Sequence, residues 1–291
     1  MIVLKNLNHT SPTGRPILLD IFYQSNSKKK PVILFSHGYK SFKDWGCFDM
    51  VASFFAENSF IFIKFNYSHN GVTEDNGTYI SDKEVFGHNT VEKEMTDLNE
   101  MIGRISNMQE VDDTEINRNH IILIGHSRGG SNAIIAAAEN DKVKQLITLA
   151  AFKDYEKTWR RFYDFDMWEK EGVLWRPNKY TGEKLPLYYE LYNNYLVNKE
   201  AFNIKKAVKS MKRPFILHHG IDDEFIPFEE AISMKRWNKD INLHLMPYCN
   251  HNFGAYHPYS KGHLPDDWLL LCRFSVDFIQ RNLDQRVVRS G

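Results

Sequence analysis

The sequence predicts an α/β protein with a mostly parallel central sheet flanked by helices. Short apolar runs alternate with longer helical patterns, as they do where crossover helices link parallel strands. One of those runs, PVILFS at 31–36, is apolar on both faces, which suits a strand covered by helices on both sides. A single segment, 153–212, breaks the rhythm and reads as an insertion. A chain of 291 residues fits one domain with that insertion inside it.

The elements follow in order. RPILLDIFYQ at 15–24 reads as an early strand after a Pro/Gly turn, and the polar stretch 25–30 as the turn into strand 31–36. A helix is expected over 44–57, a strand at 60–65 (FIFIKF) and a helix over 90–107. HIILIG at 120–125 is a strand that runs directly into a small-residue helix at 128–139. Further strands are expected at 144–151, 215–219 and 241–246, and a last helix over about 266–282. Between 153 and 212 no run reads as a strand, and aromatic residues crowd there, among them Tyr155, Trp159, Phe162, Tyr163, Trp168, Tyr180 and Tyr192. That composition suits a helical cap.

Composition narrows the function. Apolar residues make up 42% and charged residues 25%, and 37 Lys plus Arg balance 37 Asp plus Glu. No global field therefore favours nucleic acid or an anionic membrane. No apolar stretch approaches the roughly 20 residues of a membrane helix. Met1 to Asn8 lacks the basic segment, apolar core and cleavage site of a secretory signal, and Cys47, Cys249 and Cys272 are too sparse and scattered for a disulfide framework or a zinc site. A cytoplasmic protein is expected.

The chemistry begins at Gly125-His126-Ser127-Arg128-Gly129, which fits G-x-S-x-G. Alone, Ser127 could be an ordinary helix N-cap. Its setting between an apolar strand and an Ala/Ile-rich helix is the one a nucleophilic serine requires: a turn so tight that strand and helix meet only across glycines. A serine hydroxyl needs a general base, and the base needs an orienting carboxylate. In chain order these should follow as Ser, acid, His. The acid falls in Gly220-Ile221-Asp222-Asp223-Glu224, where spacing alone does not choose among three carboxylates. His251, in the loop after strand 241–246, is the candidate base. His257 and His263 lie further out, His37 and His126 precede the acid, and His218 ends a strand as a core histidine would. A tetrahedral intermediate needs two oxyanion donors. The Arg128 backbone N–H, next after the nucleophile, is one, and the Tyr39 N–H, in the Ser36-His37-Gly38-Tyr39 loop, is the candidate second. The reading needs no cofactor and no metal. A metal gathered by His218, His219, Asp222 and Asp223 is the weaker chemical alternative.

These segments, with Phe65 to Gly71 and Asn250-His251-Asn252-Phe253-Gly254, make the chain resemble the α/β-hydrolase superfamily. Within it the resemblance is to the dienelactone-hydrolase-like, feruloyl-esterase-like and prolyl-oligopeptidase-like serine hydrolases. The resemblance spans residues 36–254. It implies Asp223 as the acid, through the family's H-G-x-x-D-x-x-V/I-P pattern. It implies Tyr39 and Arg128 as oxyanion donors and 153–212 as a cap over the acyl or aryl pocket. Two departures stand out: dienelactone hydrolase proper carries a cysteine where Ser127 stands, and Ser68-His69-Asn70-Gly71 replaces a Gly-His-Gly variant common in relatives. His69 then either lines the site or sits in a structural turn.

The expected function is hydrolysis of a small-molecule carboxylic ester by Ser127, His251 and Asp223. A peptidase or amidase of the same fold would need cap acids such as Glu169, Glu171, Glu183 or Glu190 in the pocket to hold a peptide N-terminus. A non-catalytic binding protein would be expected to show a damaged triad. Exposed cap aromatics would suit a homodimer.

Overall fold

The computed structural model describes residues 1–178 and 181–289. Its strands are β1 (Ile2–Thr10), β2 (Pro16–Tyr23), β3 (Lys30–Ser36), β4 (Ile61–Phe65), β5 (Ile116–His126), β6 (Val143–Leu149), β7 (Val173–Pro177), β8 (Lys184–Tyr188), β9 (Phe215–Gly220) and β10 (Asn242–Met246). Eight of them form one sheet in the order β1-β2-β4-β3-β5-β6-β9-β10. From β4 to β10 every neighbouring pair is parallel, and β2 joins antiparallel to both β1 and β4. The parallel strands therefore end on one edge, where an open α/β sheet binds its ligands.

The helices are α1 (Phe48–Glu57), α2 (Lys83–Gly87), α3 (Val91–Arg104), α4 (Arg128–Glu139), α5 (Tyr155–Phe162), α6 (Phe165–Glu171), α7 (Glu190–Val197), α8 (Ile204–Ser210), α9 (Glu229–Trp237) and α10 (Asp266–Arg289). Their apolar stripes cover both faces of the sheet. One core joins α3, α4, α8 and α9 to β2, β3 and β5 through residues such as Leu98, Ile134, Val208, Met234 and Leu123. The other joins α1 and α10 to the opposite face through Phe48, Phe55, Trp268, Leu271 and Ile124. Strands between two such layers have no wet face, which is why the central runs read as continuously apolar. No described helix is long and apolar enough to cross a membrane.

Five elements, β1, α2, α9, β7 and β8, go beyond the sequence pattern. Residues 2–10 form an edge strand whose burial alternates along its length, with a register shift between Leu4 and Leu7 where Asn6 takes φ 53°. α2 and α9 were not anticipated, because each is short and half polar. The segment between β6 and β9 carries the expected helices, α5 to α8, but also an antiparallel hairpin, β7–β8. That hairpin holds Pro177 and Pro186 and pairs only with itself, so its period-2 signal is weak. Trp168 is fully buried at the centre of the insertion, donates Nε1–H to the Leu187 carbonyl at 2.8 Å, and is ringed by Tyr163, Phe165 and Tyr189. Most of the aromatic crowding is thus internal packing. Tyr180 lies outside the described residues.

An ionic cluster, buried at its centre, gathers around Asp20 of β2 and Lys64 of β4. Lys64, fully buried on β4, touches Asp20 at 2.7 Å and Asp49 at 2.6 Å as well as Asp44, while Lys43 reaches Asp20 at 2.9 Å and Asp44 at 2.5 Å. Lys5 pairs with Asp49. Three carboxylates close enough to share a metal ion are thereby matched by three ammonium groups.

Candidate active site

Ser127 sits between the end of β5 and the start of α4, with φ 53° and ψ −121°. For a side chain with a Cβ this is strained backbone, and such strain persists only where the surroundings over-determine it. Here they do. The Ser127 N–H donates to the Leu149 carbonyl at 2.8 Å. A Cβ on Gly125 would lie 2.4 Å from the Gly129 carbonyl oxygen, and one on Gly129 would lie 2.3 Å from that of His37. Strand, helix and the loop after β3 can meet only with hydrogen at both places. Ser36 Oγ braces the junction, donating to the Gly129 carbonyl at 3.1 Å and lying 2.5 Å from the Tyr67 hydroxyl.

Ser127, His251 and Asp223 come together although 124 and 28 residues separate the successive pairs. His251 Nε2 lies 3.0 Å from Ser127 Oγ, and His251 Nδ1 lies 2.8 Å from Asp223 Oδ2. The Asp223 side chain is fully buried. Its Oδ1 accepts from the backbone N–H groups of Phe225 at 2.9 Å and Ile226 at 2.8 Å. Burial opposes its charge, but the hydrogen bonds from His219 and His251, the His251 charge and the Ile226 N–H together hold its carboxyl well below the usual carboxylate range. Asp222, one residue earlier, is exposed, and its N–H is tied to the Cys249 carbonyl at 3.1 Å.

His251 is held on several sides. Its N–H donates to Glu224 Oε2 at 3.2 Å, its carbonyl accepts from His126 Nε2 at 3.0 Å, and Phe225 packs edge-on against its ring at 5.2 Å. His126 is fully surrounded, and burial, reinforced by the nearby His251 charge, pushes its imidazole down to about 3. It is therefore neutral at working pH and spends its one N–H on that carbonyl. His126 thus holds the loop of His251 in place. The sequence carried no sign of this contact and little of a second one: His219 Nε2 lies 3.3 Å from Asp223 and donates to the Ile226 carbonyl at 2.8 Å. The spacing of His219 and Asp223, four residues across a strand end, was the one available clue.

The loop after β3 lies against Ser127. A Cβ on Gly38 would stand 3.0 Å from Ser127 Cβ, so the Gly38–Tyr39 backbone passes directly beside the serine. Arg128, the first residue of α4, flanks it on the other side. The Arg128 side chain is buried, where its guanidinium stacks 4.4 Å from the Tyr39 ring centre and pairs with Glu94 at 3.3 Å. Glu94 also accepts from Asn89 at 2.7 Å and Asn132 at 2.8 Å, so its charge is fully engaged.

Ser127 and His251 open into a cavity of about 420 Å³, within the range of small-molecule sites. Its body side is Gly38, Tyr39, Phe42 and Phe225, and its insertion side is Trp159, Phe162, Tyr163 and Arg176. The other candidates lie elsewhere. His257 bridges the Gly46 N–H and the Thr78 carbonyl, His263 is exposed beside Leu264, and His69 pairs with Ser68 outside the cavity lining. His218 bonds to His244 at 2.8 Å and Asp222 is exposed, and among the described residues His218, His219, Asp222 and Asp223 do not form a metal-ligating group.

Solved structures share this architecture across nearly their whole length. Est1E from Butyrivibrio proteoclasticus with bound ferulic acid superposes with a TM-score of 0.71 at 18% identity, covering 96% of this chain and 99% of its own. The esterase domain from a Rhodothermus marinus protein gives 0.64 at 17% identity, covering 97% and 99%, and an esterase from Pyrococcus furiosus gives 0.60 at 17%, covering 95% and 90%. At such identities the likeness shows the α/β-hydrolase fold and nothing finer. No curated protein sequence matches the chain. The family of the PGAP1-like alpha/beta domain matches residues 27–245, three quarters of the chain. Fold, strand order and family match agree, and the chain belongs to the PGAP1-like alpha/beta domain family.

Proposed function

We propose that this chain is a serine hydrolase that cleaves a carboxylic ester through an acyl-enzyme, with Ser127 as nucleophile, His251 as general base and acid, and Asp223 as the orienting carboxylate. The observation that carries the reading is the continuous relay from Ser127 Oγ through His251 to Asp223, at 3.0 and 2.8 Å, on the floor of a cavity. His251 Nε2 takes the Ser127 proton as Oγ attacks the ester carbonyl. The oxyanion is received by the backbone N–H groups of Tyr39 and Arg128, the second of which also has the N-terminal field of α4 behind it. His251 then gives its proton to the leaving alcohol, and water repeats the sequence to release the acid. Residues 153–212 act as the cap, supplying Trp159, Phe162 and Tyr163 to the pocket. The aromatic lining suits an aryl or short acyl ester, and the ferulic acid bound by Est1E supports that class.

The peptidase reading has less support. Glu183 and Glu190 are spent on Lys83, His88 and Lys93, and none of the four cap glutamates lines the cavity.

The test is Ser127→Ala. Wild type should hydrolyse 4-nitrophenyl butyrate and be labelled by a fluorophosphonate, and the variant should do neither. Labelling of the variant at the wild-type rate overturns the assignment.

A further inference from the structure

We propose that Arg176 makes the cap wall of the Ser127 cavity an anion-binding subsite, so that the preferred esters carry a carboxylate or similar acid group away from the scissile bond. The inference rests on the hydrolase reading for its catalysis and on Arg176 alone for its selectivity.

Arg176 lies on β7, whose burial alternates: Leu174 is buried, Trp175 exposed, Arg176 half-buried. Leu174 and Arg176 therefore share the inward face of the hairpin. Opposite Arg176 in register stands Leu185, which is fully buried and also lines the cavity. An apolar residue would be the default at such a position. The sequence instead places a guanidinium there, stacked 5.1 Å from the ring centre of Tyr163.

The two arginines of the pocket differ in one respect. Arg128 has Glu94. Among the described residues Arg176 has no carboxylate within ion-pair distance. The one acid in the cavity lining, Glu224, receives the His251 N–H on the body side. A cation facing a small aromatic cavity is poorly solvated once a ligand fills it, and stacking on one tyrosine does not replace a counter-ion. A neutral ester would strip water from Arg176 and return nothing. An anionic ester would complete the pair with charge-assisted, bidentate hydrogen bonds. The same residue thus favours one substrate class and penalises the other, as selective sites do.

The experiment compares two esters of equal acyl-chain length, the 4-nitrophenyl monoester of glutarate and 4-nitrophenyl valerate, with wild type, Arg176→Met and Arg176→Lys. Wild type should favour the glutarate ester in kcat/KM. Arg176→Met should lower the ratio of the two by about tenfold to a hundredfold, through KM, the size of a lost charge-assisted hydrogen bond. Arg176→Lys, which keeps the charge, should lie between. In parallel, Ser127→Ala and Ser127→Ala with Arg176→Met are titrated calorimetrically with the glutarate ester, and the double variant should bind it more weakly by the same factor. A ratio that moves by less than about threefold, or equal binding by the two Ser127→Ala proteins, overturns the subsite. If wild type neither turns over an ester nor reacts with fluorophosphonate, the hydrolase reading fails, and the binding comparison alone decides the subsite.

Discussion

Replacing Asp223 by Asn tests the relay at the point where the structure makes the strongest demand. Oδ1 of Asp223 is pinned by two backbone donors, the N–H groups of Phe225 and Ile226 at 2.9 and 2.8 Å. An asparagine must keep its amide oxygen there. Its NH2 group then points at His251 Nδ1, 2.8 Å away, where the carboxylate had accepted a hydrogen bond. Nδ1 must become the acceptor, the imidazole proton moves to Nε2, and Nε2–H cannot take the proton of Ser127 Oγ. The opposite rotamer would leave two buried N–H groups facing an NH2, at a cost of about 1–3 kcal/mol each, so it is not an escape. The wrong tautomer in a serine triad lowers kcat by about 10⁴, or about 5.5 kcal/mol. The assay is the steady-state rate with 4-nitrophenyl butyrate, paired with the rate of fluorophosphonate labelling and with Asp222→Asn as control. The Asp222 side chain is exposed, and its replacement should change the rate by less than about twofold. An Asp223→Asn protein within about tenfold of wild type, or an Asp222→Asn protein that is the more damaged, would refute the reasoning.

Two further outcomes are expected. Gly129→Ala would drive a Cβ to within 2.3 Å of the His37 carbonyl oxygen and 2.4 Å of that of Ser36. It should cost about 3 kcal/mol or more in urea unfolding and abolish fluorophosphonate labelling, and an unshifted midpoint would show that the elbow is looser than described. Burial pushes His37 down to about 4 and His126 and His218 down to about 3, while in the unfolded chain each titrates near its ordinary 6.5. The unfolded state thus binds more protons between those values. Stability is full above pH 6.5 and falls as pH drops towards 4, with a slope approaching about 1.4 kcal/mol per pH unit for each histidine. Denaturant midpoints at pH 7 and pH 5 check this, and His218→Asn should flatten the slope. A midpoint unchanged between the two would mean that these imidazoles are not held neutral.

Much of the site was legible because its signals are local. The elbow needs glycines two residues either side of Ser127, and that requirement is written within five positions. The sequence by itself also determined the alternation of buried strands and helices, the order Ser127, Asp223, His251, and an insertion after β6. Adjacent acids were another matter. Asp222 and Asp223 are equivalent in spacing, and family resemblance rather than residue chemistry preferred the second. Only the fold turns Asp223 inward onto His251 and His219 while the Cys249 carbonyl holds Asp222 at the surface.

Everything that depends on contacts between distant segments came from the tertiary structure. His126 holds the carbonyl of a residue 125 positions away. Glu94, on α3, neutralises Arg128 on α4. The hairpin β7–β8 escaped the pattern reading because its inward face alternates leucine with a charge and its pairing is confined to itself. Periodicity reports which face of an element is buried on average. It carries no information about which polar group meets which across the sheet edge, because that is set by strand order and register. The tight turn at Ser127 could therefore be read from the chain, whereas the wall that faces it, with Arg176 among its aromatic residues, was decided only by folding.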